Sequence, residues 1–177
     1  MNIKFILLAL LLLPDMMLAS FIGPNKEPLP NAEYRKCTPG FCAELVITND
    51  SEKALKNWEL PSEGVHFPYS GKMNKGEIIS AFVVFKSCST TDKGNCRLTQ
   101  QVTIIQPDGK VYAEIPESEV WFDKPSPDEG AIGLSVDYVK LIVEPHEQIG
   151  NYKFIVIVND YVSGKSTKLT KSVIVNE

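Results

Sequence analysis

The sequence predicts an all-β protein, a two-sheet sandwich of about seven mostly antiparallel strands behind an extended N-terminal leader. Three observations carry this. Short runs rich in Val, Ile, Phe, Tyr and Thr recur from residue 43 to the C-terminus. Turn signals separate them at Asn49-Asp50, Pro107-Asp108-Gly109 and Ser163-Gly164. Several runs alternate apolar and polar residues instead of sustaining a helical stripe.

In chain order, MNIKFILLALLLLPDMMLAS combines Lys4, an unbroken apolar run from Phe5 to Leu13 and small residues at Ala19 and Ser20. It reads as a signal peptide, residues 1–20, cleaved near Ala19 or Ser20. A spanning anchor needs about 20 apolar residues, and Pro14 and Asp15 stop this run early. Residues 21–42 read as a Pro-rich leader, carrying Pro24, Pro28 and Pro30, with a small disulfide loop at its end. The sandwich is assigned to residues 43–177. Its runs are Ala43–Thr48, Glu77–Ser87, Leu98–Gln106, Lys110–Ile115, Gly133–Glu144, Tyr152–Asp160 and Thr167–Val175. IIQPDGKVYAE is the clearest hairpin, with Pro107 setting a turn and Gly109 free to take the left-handed position. Residues 51–74 are the least legible and hold either a short helix around SEKALKNW or another strand.

Cys37, Cys42, Cys88 and Cys96 form an even set in an exported chain, which implies disulfides. CTPGFC closes over a Pro39-Gly40 turn and CSTTDKGNC over a polar loop, so the expected pairs are Cys37 with Cys42 and Cys88 with Cys96. Zinc is the competing reading, disfavoured because the spacings are not CxxC and histidines are scarce. The net charge is −4 and the arginines are Arg35 and Arg97, which gives no electrostatic footprint for nucleic acid. The predicted location is secreted or periplasmic, with no integral membrane segment after cleavage.

The stretch EPHEQIGNYKFIVIVNDYVSG resembles the penultimate strand and last hairpin of immunoglobulin-like and macroglobulin-like sandwich domains of exported proteins. The likeness covers about the last thirty residues. It implies an immunoglobulin-like fold and a structural role for Tyr152, the tyrosine corner, whose hydroxyl folds back onto the backbone between Pro145 and Gln148. It brings no active site. The antibody arrangement of one cysteine in each of two strands around a tryptophan is missing, since Trp58 and Trp121 lie elsewhere.

Candidate chemistry is sparse. GKST at Gly164–Thr167 is not a phosphate loop, because Asn159 stands where a glycine is required and a strand, not a helix, follows. GLSVD around Ser135 departs from a hydrolase elbow at Asp137. The two histidines, His66 and His146, sit in no catalytic signature. Asp123, Asp128 and Glu129 make an acidic loop in which calcium is conceivable, although the EF-hand order is absent. Asn49-Asp50-Ser51 matches a glycosylation acceptor. His66, Phe67, Tyr69, Trp121 and Phe122, in VHFPYSG and EVWFDKP, read as loop aromatics and form the candidate binding surface, against the alternative that they plug the sandwich ends. The expected function is a non-catalytic, cofactor-free binding module whose partner is another protein of the cell envelope or exterior. The alternatives are a carbohydrate-binding sandwich or a hydrolase with an unrecognised site.

Overall fold

The computed structural model describes residues 20–23, 25–59, 67 and 71–177; the segment 1–19 assigned to the signal peptide, and the candidate residues His66 and Tyr69, lie outside the described residues. The described residues form ten strands and one helix in an all-β, two-sheet sandwich. The elements are β1 (Arg35–Thr38), β2 (Phe41–Thr48), α1 (Ser51–Glu59), β3 (Lys72–Asn74), β4 (Ile78–Lys86), β5 (Asn95–Ile105), β6 (Val111–Pro125), β7 (Gly133–Leu134), β8 (Val139–Ile142), β9 (Gly150–Asp160) and β10 (Lys165–Asn176). One sheet runs β1-β2-β4-β7 with β8 also on β4, and the other runs β3-β10-β9-β5-β6. All pairings are antiparallel except β3 with β10.

The central strands of the first sheet, β2 and β4, are buried on both faces. Leu45, Ile47, Val83 and Phe85 point into the core between the sheets, while Val46, Phe82 and Val84 face outward into a second cluster under Leu55 and Trp58 of α1, Phe21 and Phe67. A doubly buried strand reads as a continuous apolar run, which is why AELVIT and SAFVVF show little alternation. The second sheet alternates instead: along β9, Tyr152, Phe154, Val156 and Val158 are buried while Asn151, Lys153 and Ile157 are exposed.

Helix α1 occupies the stretch that sequence patterning leaves open between helix and strand. Asp50 caps it, its Oδ1 accepting from Lys53 N at 2.9 Å, and Ala54 is its buried contact. The strand number exceeds about seven for identifiable reasons. β1 and the start of β2 fall within residues 21–42, so the end of that leader is an edge hairpin of the sandwich. The run 133–144 divides into β7 and β8. Ser135 lies between them, 5% exposed, its Oγ accepting from Val83 N at 3.1 Å, a buried sheet serine. β6 extends to Pro125, so EVWFDKP is strand and not loop. Register shifts between Cys96/Arg97, Leu98/Thr99 and Gln100/Val102 break its alternation, and bulges of this kind hide a strand from a period-of-two reading.

Both disulfides pair as the loops predict. Cys37 and Cys42 face each other across the β1–β2 hairpin with Cα atoms 4.1 Å apart. Cys88 and Cys96, 5.9 Å apart at Cα, close the crossover from β4 in one sheet to β5 in the other. GKST opens β10: Gly164 has φ 70°, its N–H donates to Asp160 O at 2.8 Å, and the segment is a hairpin turn. Asp160, 3% exposed, organises that turn. Its Oδ1 accepts from Val162 N at 2.9 Å and Ser163 N at 3.2 Å, and its Oδ2 from Ser89 N at 3.2 Å. Tyr152 is fully buried, and its hydroxyl donates to Gln148 O at 2.9 Å.

Tyr152→Phe removes that hydroxyl and leaves the ring packed against Tyr112, with centroids 5.4 Å apart. The expected cost is about 1 kcal/mol, read as a lower urea midpoint at unchanged m-value. An unchanged midpoint would show that the bond is replaced by water at no net cost.

Asp160 predicts a pH dependence. Burial raises its pKa, but the Ser163 and Ser89 donors outweigh burial and hold it below the ordinary 3.8. A depressed carboxylate contributes stability that is complete above the unfolded pKa and lost as pH falls through the folded one. Asp160→Asn should therefore destabilise at neutral pH by roughly 1.5–3 kcal/mol, the range for hydrogen bonds to a charged group. The gap between the two proteins should close below pH 3.8. Parallel denaturation curves at pH 7 and in acid test this, and a gap independent of pH would reject it.

Candidate binding surface

The exposed face of the second sheet is built by strand alternation, and its register places side chains in rows. Thr170, Ile155, Thr103 and Glu114 form one row, and Lys168, Ile157 and Gln101 the next. Further along lie Ser166, Asn159, Thr99 and Glu119, then Arg97 opposite Phe122. At this end Thr99, Glu117, Ser118, Glu119, Phe122 and Tyr161 line an open groove of about 350 Å³.

Glu117 is its hub. Oε1 accepts from Thr99 Oγ1, from Tyr161 OH at 2.8 Å and from Asn159 Nδ2 at 3.3 Å. The Thr99 bond, then that of Tyr161, holds the Glu117 carboxyl below its usual range, and Glu117 in turn pushes the Tyr161 phenol up. Glu119 accepts from Lys124 and from Phe122 N, and Lys124 likewise keeps it below the usual range. Both carboxylates are thus ionised at neutral pH, with acceptor lone pairs facing the groove.

Phe122 and Tyr161 supply the apolar part. They are 38% and 55% exposed and meet edge to face with centroids 6.3 Å apart. The Arg97 guanidinium lies 5.8 Å from the Phe122 centroid and donates from Nε to Asp123 Oδ1 at 2.7 Å. Asp123 has φ 52°, a left-handed conformation that aspartate tolerates better than most residues. This kink lies in the irregular stretch of β6 where the pairing steps from Phe122 to Lys124.

The structure does not bring together the three described sequence candidates, Phe67, Trp121 and Phe122. Phe67 lies in the cluster outside the first sheet, 6.2 Å from both Trp58 and Phe82. Trp121 turns the other way from Phe122: it packs on Phe85 at 5.8 Å beside the inter-sheet core and donates from Nε1 to Pro125 O at 2.8 Å. Phe122 alone of the described candidates lines the groove. The correction follows from β6 being a strand, since neighbouring residues of a strand face opposite ways. Tyr161, Glu117, Thr99 and Asn159 escape sequence reasoning because a bulge and a hairpin turn assemble them. The one sequence signal was a tyrosine directly after a turn-forming Asn-Asp.

His146 is exposed and makes no hydrogen bond among the described residues. No group of three or more His, Cys, Asp or Glu suited to a metal ion occurs among the described residues. In the acidic loop, Asp123 is paired with Arg97. No described helix is long and apolar enough to cross a membrane.

The fold and the groove together define a disulfide-stapled β-sandwich domain with one open sheet face. No protein-family model matches the sequence. No characterised protein matches it significantly by sequence. Among solved structures, the C-terminal domain of Wzt is similar at 14% identity and a TM-score of 0.43, covering 81% of this chain and 78% of that one. A CARDB domain from Pyrococcus furiosus, solved with di-metal ions, has 12% identity and a TM-score of 0.39, covering 81% and 90%. A family 123 glycoside hydrolase from Clostridium perfringens has 12% identity and a TM-score of 0.42 over 76% of this chain. The match spans 27% of that hydrolase.

The Glu117 hub is testable by titration. Tyr161→Phe and Thr99→Val should each raise the Glu117 pKa, because each removes a donor to the ionised form. Carboxyl carbon chemical shifts followed against pH report this directly. Superimposable Glu117 curves would mean that the hydroxyls do not hold the carboxylate.

Proposed function

We propose that this chain is a non-catalytic, exported binding module that engages another protein of the cell envelope or exterior through the open face of the β3-β10-β9-β5-β6 sheet. The observation that carries the reading is the exposed Phe122–Tyr161 pair beside the ionised Glu117. Aromatic residues, tyrosine among the foremost, are enriched at protein interfaces and their energetic hot spots, and here the pair stands beside a fixed acceptor. Two disulfides fit an extracellular or periplasmic setting, and the segment 1–20 supplies the export signal in this reading. The final hairpin, with Tyr152 bonded back to Gln148, supports an immunoglobulin-like affinity for the sandwich.

A glycosidase reading of Glu117 and Glu119 is less well supported. Such a pair needs one carboxyl kept protonated as the acid, and both of these are held below the usual range by their donors. Carbohydrate binding without chemistry remains the second reading, favoured by the open Tyr161 ring, on which a sugar could stack.

Phe122→Ala and Tyr161→Ala should each weaken partner capture by roughly 2 kcal/mol or more at little cost in melting temperature. Trp121→Ala and Phe67→Ala, which empty packed sites, should lower stability by up to about 3 kcal/mol and leave capture intact. The measurement is quantitative pull-down from the native extracellular or periplasmic fraction beside thermal denaturation of the same variants. Undiminished capture by both groove variants would remove this surface. Loss of glycan-array binding on Tyr161→Ala would favour the sugar.

A further inference from the structure

The open face is charged in opposite senses about its midline. On the β10 side Lys36, Lys153 and Lys168 surround a groove whose acidic member is Glu33. On the β6 side stand Glu114, Glu117 and Glu119, with Arg97 committed to Asp123 and Lys124 to Glu119. In line with Lys153 on β9, Ile155 and Ile157 form a short apolar stripe between Lys168 and the β6 carboxylates, Ile157 being 36% exposed.

We infer that the partner of this face is a second copy of this chain, docked face to face about a two-fold axis parallel to the strands. The inference rests on the binding reading above and names its partner. Such an axis exchanges left and right while preserving position along the strands, so the basic margin of each copy lies over the acidic margin of the other. An axis across the strands would set lysine on lysine. A face made for an unrelated protein has no need of opposite margins about its own midline, whereas an isologous contact must be self-complementary. Position along the strands also matches. Lys168 shares the Ile157–Gln101 row, and the β6 bulge between Ile115 and Ser118 places the Glu117 backbone at the far end of that row with its carboxylate leaning one row on, over Thr99 and Asn159, so the long side chain of Lys168 in one copy reaches Glu117 of the other. Four strands spaced about 4.8 Å apart, each about eleven residues long at about 3.3 Å per residue, give a face near 700 Å², close to the ~800 Å² per partner of a stable interface.

Sedimentation velocity over a concentration series tests this on the full mature chain. The wild type should pass from monomer to dimer as concentration rises, and the dimer should weaken with salt, because its margins are solvent-accessible charges. Lys168→Glu alone, or Glu117→Lys alone, sets two like-charged pairs in each homodimer and should raise the Kd about tenfold or more. An equimolar mixture of the two variants restores both attractive pairs in the heterodimer and should recover the association. Glu117→Gln, which keeps the side-chain shape, must also raise the Kd and covers the case in which Glu117→Lys does not fold. A wild type that stays monomeric at its highest soluble concentration overturns the inference, as does a mixture that fails to recover. If the chain is monomeric yet captures another protein through Phe122 and Tyr161, the binding reading stands and self-pairing falls. If neither is seen, both fall.

Discussion

The double burial of β2 and β4, the central strands of the first sheet, is the constraint on which the rest of the structure depends. A strand such as β4, buried along Ile79–Phe85, needs cover on both sides, and one opposing sheet supplies only one. The second cover is made from Phe21, Leu29, α1 and Phe67. The cap on α1, the inward turn of the segment near residue 21 and the close approach of β7 all serve that layer. A Cβ on Gly133 would lie 2.2 Å from Phe85 Cζ, so the glycine is what lets β7 lie against β4. The consequence is asymmetry. Among the described residues, one sheet has its central strands closed on both faces and the other presents a face to solvent, where strand alternation shows.

Legibility in the sequence followed the range of the interactions. The disulfides lie five and eight residues apart, the β5–β6 and β9–β10 hairpins turn on glycines at positive φ, and Tyr152 reaches four residues back; all these are local and all could be read. The inner faces were legible wherever alternation held, as in β9. β1 was not, because its four residues, RKCT, carry no apolar signal and pair by virtue of the disulfide hairpin. β6 was half legible. Its first turn-flanking residues alternate, and its bulged second half does not, so by pattern alone Trp121 and Phe122 read as loop residues. The groove suffered most, since Glu117, Thr99, Asn159 and Tyr161 are up to 62 positions apart and meet through one particular bulge.

That bulge gives the groove its electrostatic character. Had β6 kept strict register, Glu117 would fall at a fixed alternation on the strand. The two-for-one count opposite Gln101 instead brings its carboxylate within reach of both the Thr99 and the Tyr161 hydroxyls. A carboxylate so furnished stays ionised without a cationic partner. The two basic groups nearby, Arg97 and Lys124, are engaged with Asp123 and Glu119. The groove therefore keeps the Glu117 charge beside an aromatic edge, held by hydroxyl and amide donors.

A chain of local contacts fixes the backbone at this end of the sandwich. Tyr161 follows Asp160, whose carboxylate ties the β9–β10 turn to Ser89, and Ser89 adjoins Cys88 of the crossover disulfide. Tyr161 N in turn donates to Arg97 O at 3.0 Å, one residue beyond Cys96, the other half of the same bridge. A loop of this length closed by a disulfide contributes about 2–3 kcal/mol to stability in the chain-entropy model. Its further effect is to hold the backbone at Tyr161 and at Arg97 in one frame. The short cysteine loop, the buried aspartate and the exposed tyrosine therefore act as one unit: the first two hold the backbone, and the third is displayed on that frame.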